Sequence, residues 1–347
     1  MSKVYILLIF IPISVLFQFM HIGSSSIQFL VTALAIIPLA RLLGEGTEEL
    51  SKYTGEKLGG FLCATFGNAT ELILSLFALK EGLFDVVKAS IAGSMIGNIL
   101  LVLGVSMLVG GTKFKTQKFS KKSTNATMSL LILAVISLVI PTVCTGNLSL
   151  IDVNPTKYMG LSIEIAIVML IVYLSSLYFS FFTHKDIYGV VHESVKRWSK
   201  SFSSFILIIA TIFVAIESEL LVKNIVPMTG ELHLSKLFVG LIIIPIIGNA
   251  AEHSTAVMMA VKNKIAISVE IAIGSSLQII LFVAPLLVLV SILFKPMTLI
   301  FNTYEILSLI IAVVAAKVIC EDGESNWLEG LQLVSIYVVL AVTFYMV

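Results

Sequence analysis

This sequence predicts an all-α polytopic membrane protein of about eleven transmembrane helices, on three observations. Hydrophobic residues fill 58% of the 347 positions and charged ones only 12%, and the mean hydropathy of +1.06 lies outside the range of soluble domains. The apolar residues stand in continuous runs rather than alternating with polar ones, which excludes a membrane barrel. A polar pattern also recurs at a fixed interval: Gly67/Gly248, Asn68/Asn249, Ala69/Ala250, Glu71/Glu252, Gly93/Gly274 and Ser94/Ser275 are each 181 positions apart. A hydrocarbon core of roughly 30 Å takes about 20 apolar residues per helix, so the chain has room for about ten spans and no soluble catalytic domain. A transporter rather than an enzyme is expected.

Runs bounded by charge or turn clusters place the spans near 4–20, 26–43, 57–80, 86–111, 126–145, 158–183, 202–222, 235–261, 265–293, 302–319 and 328–346. The first resembles a secretory signal, because Lys3 precedes VYILLIFIPISVLFQFM and GSSS follows it. A retained span is the expectation, since it keeps the loops in alternation. Lys and Arg then sort by side. Sixteen lie at Lys3, Arg41–Lys57, Lys113–Lys122, Lys185–Lys200, Lys262–Lys264 and Lys317, against six in the alternate loops. The positive-inside rule puts the N-terminus in the cytoplasm and the C-terminus outside. Cys63, Cys144 and Cys320 lie apart with no C-x-x-C spacing and read as small membrane-core residues, not as disulfides or metal ligands.

The first copy of the repeated pattern falls on spans three and four and the second on spans eight and nine. An odd number of helices between copies inverts the second, a plan that in secondary transporters puts the substrate site at the repeat interface near the bilayer midplane. The expected layout is an extra N-terminal helix (1–25), a first five-helix repeat (26–184), a cytoplasmic linker (185–200) and a second, inverted-topology five-helix repeat (201–347). Depth agrees: at 1.5 Å per residue, Glu71 and Ser94 both lie about 12–15 Å below the Lys80–Asp85 turn, and Glu252 and Ser275 reach the same depth from the Lys262–Lys264 turn. Asn68 shares a helix face with Glu71, Asn249 with Glu252, Ser94 with Asn98, and Ser275 with Gln278.

A charge at the centre of a membrane helix costs about 2.5–3.5 kcal/mol even on the mildest insertion scale, so Glu71 and Glu252 are the functional candidates. Two carboxylates among amide and hydroxyl oxygens, with no cysteine or metal-spaced histidine pair, form an oxygen site suited to a hard divalent ion, Ca²⁺ first and then Mn²⁺ or Mg²⁺. Burial and a like-charged neighbour both disfavour the ionised carboxylate, so protons can take the ion's place. The site is therefore read as an exchanger. Asn68, Asn249, Ser94, Ser275, Asn98 and Gln278 would support it, the alternative being simple bridges between helices. Gly67, Gly248, Gly93 and Gly274 are read as backbone or packing positions. Pro245 could open its helix and free carbonyls for the ion, or merely be tolerated there. His253 points off the Glu252 face. A second tier of acids could line entrances and concentrate cations: Glu45, Glu48 and Glu49 at the close of span two, and Glu217 and Glu219 late in span seven. Solvated helix ends are the alternative. Glu270 is placed in the first turn of span nine, where the helix dipole favours it.

The strings GNATE and GNAAE, each followed by Ser in GSMIGN and GSSLQ, resemble the calcium/proton exchanger (CAX) family of the cation/Ca²⁺ antiporters over nearly the whole chain. The resemblance implies a secondary-active Ca²⁺/H⁺ antiporter that expels cytosolic Ca²⁺ by alternating access, with Glu71 and Glu252 as the shared ion and proton carriers. It implies Ca²⁺, H⁺ and the lipid bilayer as partners, with no nucleic acid and no resident cofactor, and leaves an oligomer open. The short N-terminus looks like the bacterial branch, hence a plasma-membrane protein. Many members carry an acidic stretch between helices six and seven, whereas HKDIYGVVHESVKRWSK sets Asp186 and Glu193 against Lys185, Lys196, Arg197 and Lys200. The nearest alternative is a Na⁺/Ca²⁺ exchanger, which resembles G-T-S-x-P-E around its acids; the hydroxyl and proline of that pattern are missing here. A divalent-cation channel is a further alternative.

Overall fold

The structure, a computed structural model, describes residues 3–146, 155–184 and 196–346. Most of the linker expected at 185–200, with Lys185, Asp186 and Glu193, lies outside the described residues. The described chain is nearly all helix: α1 (Val4–Met20), α2 (Ser25–Phe66), α3 (Ala69–Glu81), α4 (Phe84–Phe114), α5 (Lys121–Gly146), α6 (Pro155–Tyr178), α7 (Lys200–Leu232), α8 (Lys236–Gly248), α9 (Ala250–Val261), α10 (Ile265–Ser291), α11 (Thr303–Ile319) and α12 (Trp327–Met346). Two short strands, β1 (Thr116–Lys118) and β2 (Glu324–Asn326), pair antiparallel. Among the described residues seven helices are long and apolar enough to cross a membrane, or eight if α8 and α9, bent by 63°, form one span. The helices α1, α3 and α11 are apolar but shorter than the about 20 residues a straight span takes.

Two boundaries differ from the sequence reading for the same reason. Hydropathy ends span two at residue 43, yet α2 continues to Phe66, because its charges pair along the helix: Arg41 with Glu45 at 2.9 Å, and Lys52 with Glu49 at 2.7 Å and Glu48 at 3.4 Å. It breaks at Gly55, whose φ of 80° is a conformation open to glycine at little cost. The span expected at 57–80 is thus the tail of α2 followed by α3. Likewise α7 runs past residue 222 to Leu232, with Lys223 paired to Glu219 at 2.7 Å and the Asn224 amide donating to the Leu220 carbonyl at 2.9 Å. All three cysteines are free, with Cys63 and Cys144 on the outer surface of the helices and Cys320 buried.

Helices α4 and α10 form the centre, with 83% and 67% of their most apolar windows buried, while α6 and α12 lie outside with 17% and 22%. The crossing of α4 with α8 is set by glycine: a Cβ at Gly93 would run into the Leu241 backbone, and one at Gly240 into Ala89. Contacts between loops define two ends. At one, rich in lysine, Glu49 accepts from the Arg197 and Trp198 amides, and the Tyr53 hydroxyl donates to the Trp198 carbonyl. Here too Gln117 donates to the Ala260 carbonyl and Asn263, Lys113 to the Val261 carbonyl, and β1 meets β2. At the other, Glu231 accepts from Ser25 and Ser26, and Lys88 donates to the Ile300 carbonyl.

Candidate functional site

Both sequence-predicted glutamates stand in the first turn of a helix that begins in the interior. Helix α3 starts after Asn68 (φ −101°, ψ 26°) and α9 after Asn249 (φ −92°, ψ 7°), so Glu71 and Glu252 each sit near the exposed amides of a helix N-terminus. That position favours a negative charge by about 0.3–1 kcal/mol. Neither asparagine caps its own helix. Instead each side chain reaches across: the Asn68 amide donates to Gln278 Oε1 at 2.6 Å, and the Asn249 amide donates to Ser94 Oγ at 3.1 Å. The first copy of the repeated pattern is thereby bonded to α10, and the second to α4.

The two carboxylates come together at this crossing. Glu71 is buried and Glu252 half-buried, and they are close enough for the charge of one to act on the other. Gly248 lies against Glu71: a Cβ there would stand 3.2 Å from Oε1. Gly67 lies beside Gln278, whose Oε1 would be 3.6 Å from its Cβ. Three oxygens at the site, Asn68 Oδ1, Asn249 Oδ1 and Glu252 Oε2, are buried with no hydrogen-bond donor among the described residues. Buried acceptors left without donors are costly unless something positive fills the space between them. The arrangement can therefore hold a cation or protons.

The backbone of both central helices widens beside the site. A π-helical turn covers Gly97–Val102 in α4, within the polar face of Ser94 and Asn98, and another covers Ile279–Val283 in α10, starting just after Gln278. Such turns mark functional sites, and nothing in the residue pattern announces them. Asn98 lies inside the first; it is buried and its amide nitrogen has no partner among the described residues.

Several expected roles are corrected. The carbonyl of Pro245 itself accepts from both the backbone and the side-chain amide of Asn249 at 3.0 Å. Gly274 serves no close packing, since a Cβ there would meet nothing within 4 Å. Glu270 falls in the second turn of α10, because that helix starts at Ile265. Glu45 and Glu49 are engaged by Arg41 and Lys52, and only Glu48 of that trio is largely exposed. Glu219 is neutralised by Lys223. Glu217 is no entrance acid: with α7 extended to Leu232 it is mid-helix and fully buried.

Residues 24–182 and 202–346 match the sodium/calcium exchanger protein family. The chain is 45% identical to the Ca²⁺/H⁺ antiporter of Aphanothece halophytica, over 98% of this chain and 95% of that protein. It is 43% identical to the Ca²⁺/H⁺ antiporter ChaA of Bacillus subtilis (strain 168), over the full length of both. Among solved structures, that of native YfkE superposes with a TM-score of 0.87 at 42% identity, covering 99% of this chain and 100% of the other.

Proposed function

The chain belongs to the sodium/calcium exchanger protein family, and from that premise we propose that Glu71 and Glu252 are its shared carriers of Ca²⁺ and protons. The protein is a Ca²⁺/H⁺ antiporter of the membrane, a secondary transporter in kind. The observation that supports the assignment of the site is the approach of Glu71 to Gly248, one turn before Glu252, together with Asn68 Oδ1, Asn249 Oδ1 and Glu252 Oε2, buried with no donors among the described residues. All donors are oxygen, which suits Ca²⁺, bound as cargo at about 2.3–2.6 Å by carboxylates, amide oxygens and water. When the cation leaves, two carboxylates in an apolar surround repel, and protons neutralise them. No cofactor is needed for that exchange.

The same reading gives the molecule about eleven spans: an extra helix over 1–25, and two inverted five-helix repeats over 26–184 and 201–347 joined by a cytoplasmic linker at 185–200. The lysine-rich end is then cytoplasmic, the N-terminus lies inside and the C-terminus outside, and the protein exports Ca²⁺ across the plasma membrane.

The test is Ca²⁺ uptake into inside-out vesicles with an acid interior and no sodium, for wild type and Glu252→Gln. Uptake driven by the proton gradient and lost in the variant is expected. Wild-type uptake by Glu252→Gln would sink the role of the glutamate, and uptake only with a sodium gradient would move the protein to sodium coupling.

A further inference from the structure

Glu217 is the one fully buried carboxylate among the described residues that the exchange site does not use; Glu305, nearly as buried, caps its own helix at Asn302. It faces α1. Ser14 Oγ lies 2.6 Å from Glu217 Oε1 and 2.7 Å from the Ile11 carbonyl oxygen, and Glu217 Oε2 is buried with no partner. One turn-pair further along the same face, the Asn224 amide donates to Gln18 Oε1 at 3.4 Å. A polar seam thus joins α7 to α1 inside an otherwise apolar contact.

Counting hydrogens decides what Glu217 is. A serine hydroxyl carries one hydrogen, and a peptide carbonyl can only accept. If Glu217 were ionised, its carboxylate and the Ile11 carbonyl would compete for the single Ser14 hydrogen, leaving one oxygen pair in short contact with no proton between. A carboxylic acid removes the conflict, because Glu217 donates to Ser14 and Ser14 donates to Ile11. No basic side chain among the described residues pairs with it. The charges on the flanking helices pair with each other, Arg41 with Glu45 on α2 and Glu219 with Lys223 on α7, while Tyr5 on α1 adds no charge and α3 contributes the acid Glu71.

We propose that Glu217 is a second proton-binding site, separate from the Glu71–Glu252 pair, whose bound proton latches α1 onto α7. Removing the proton leaves a bare carboxylate where the seam needs a donor, and α1 loosens. The inference does not rest on the roles assigned to Glu71 and Glu252.

The test is infrared difference spectroscopy of the full-length protein between acid and alkaline pH, in a Glu71→Gln/Glu252→Gln background that removes the central acids. Glu217→Gln is expected to delete a carboxylic-acid carbonyl band, and Ser14→Ala to move the same band to the higher frequency of an acid with no hydrogen-bond acceptor. The melting midpoint supplies a second readout. The folded state holds a proton that the unfolded state releases, so stability falls as pH rises. With the central acids intact, the midpoint of Glu217→Gln relative to wild type is expected to rise with pH. A spectrum identical with and without Glu217, a band that Ser14→Ala leaves in place, or a midpoint difference independent of pH would overturn the proposal.

Discussion

Alanine at Gly248 tests whether the meeting of the two glutamates governs ion binding. The added methyl would stand 3.2 Å from Glu71 Oε1, 3.5 Å from its Cδ and 3.6 Å from its Cγ. The nearest of these is about 0.3 Å inside an unstrained contact at roughly 3.5 Å. No backbone is struck, so the carboxylate yields and the fold does not. Ca²⁺ takes its oxygens between about 2.3 and 2.6 Å, so a carboxylate pushed back by about 0.3 Å uses up the whole tolerance of the shell. The Ca²⁺ concentration for half-maximal uptake is expected to rise roughly ten-fold, about 1.4 kcal/mol, with the melting temperature nearly unchanged. Two other glycines are the controls. At Gly93 the methyl meets the Leu241 backbone, which cannot yield without parting α4 from α8, so Gly93→Ala is expected to cost about 1–3 kcal/mol of stability. At Gly274 there is open space, and Gly274→Ala is expected to be silent in both assays. Wild-type Ca²⁺ dependence in Gly248→Ala, or equal damage from Gly274→Ala, would refute the reasoning.

Two further outcomes follow from the same contacts. Asn68 and Gln278 share one bond at 2.6 Å, so Asn68→Ala and Gln278→Ala are expected to be non-additive in Ca²⁺ affinity, with a coupling of about 0.5–3 kcal/mol in a double-mutant cycle; additive effects would mean that the bond does not hold the site. Glu49 accepts from Lys52 and from the Arg197 and Trp198 amides, so Glu49→Ala is expected to lower stability by about 1–3 kcal/mol, read by thermal melting, while the surviving protein keeps its Ca²⁺ affinity.

Glu71 and Glu252 stand out in the sequence because a charge contradicts its apolar surroundings, and because the contradiction recurs 181 positions later in the same company of Gly and Asn. What could not be read was how the asparagines would be used. Asn before a helix suggests a cap, yet Asn68 and Asn249 spend their amides across the site, a choice set by where α10 and α4 cross and not by local propensity. The breaks that place both glutamates at helix starts had a local signal in Gly-Asn, lost inside long apolar runs that hydropathy reads as unbroken. The misplacement of Glu217 has the same root. A hydropathy window ends a helix at the first charges, whereas Glu219 and Lys223 neutralise each other and let α7 continue for nearly three more turns. Hydropathy finds spans, but ion pairs along a helix decide where it stops.

The half-helices that begin at Asn68 and Asn249 differ in what covers them, and the difference gives the site a direction. On α3, Glu71 is buried together with Leu74, Ala78 and Leu79, which belong to one apolar cluster with Val86 and Val87 of α4. On α9 only Ala256 and Ala260 are buried, Glu252 is half-buried, and Ser254 is exposed. That helix leads to the end gathered by Lys113 and Gln117. An exchanger that carries two kinds of ion on one pair of carboxylates must be shut on one side while it is open on the other, or the gradients it uses would dissipate through it. The lysine-rich end is the less covered one in this state. The opposite state requires α9 to be covered and α3 uncovered, and the joints for that exchange already exist as the helix breaks at Asn68 and Asn249.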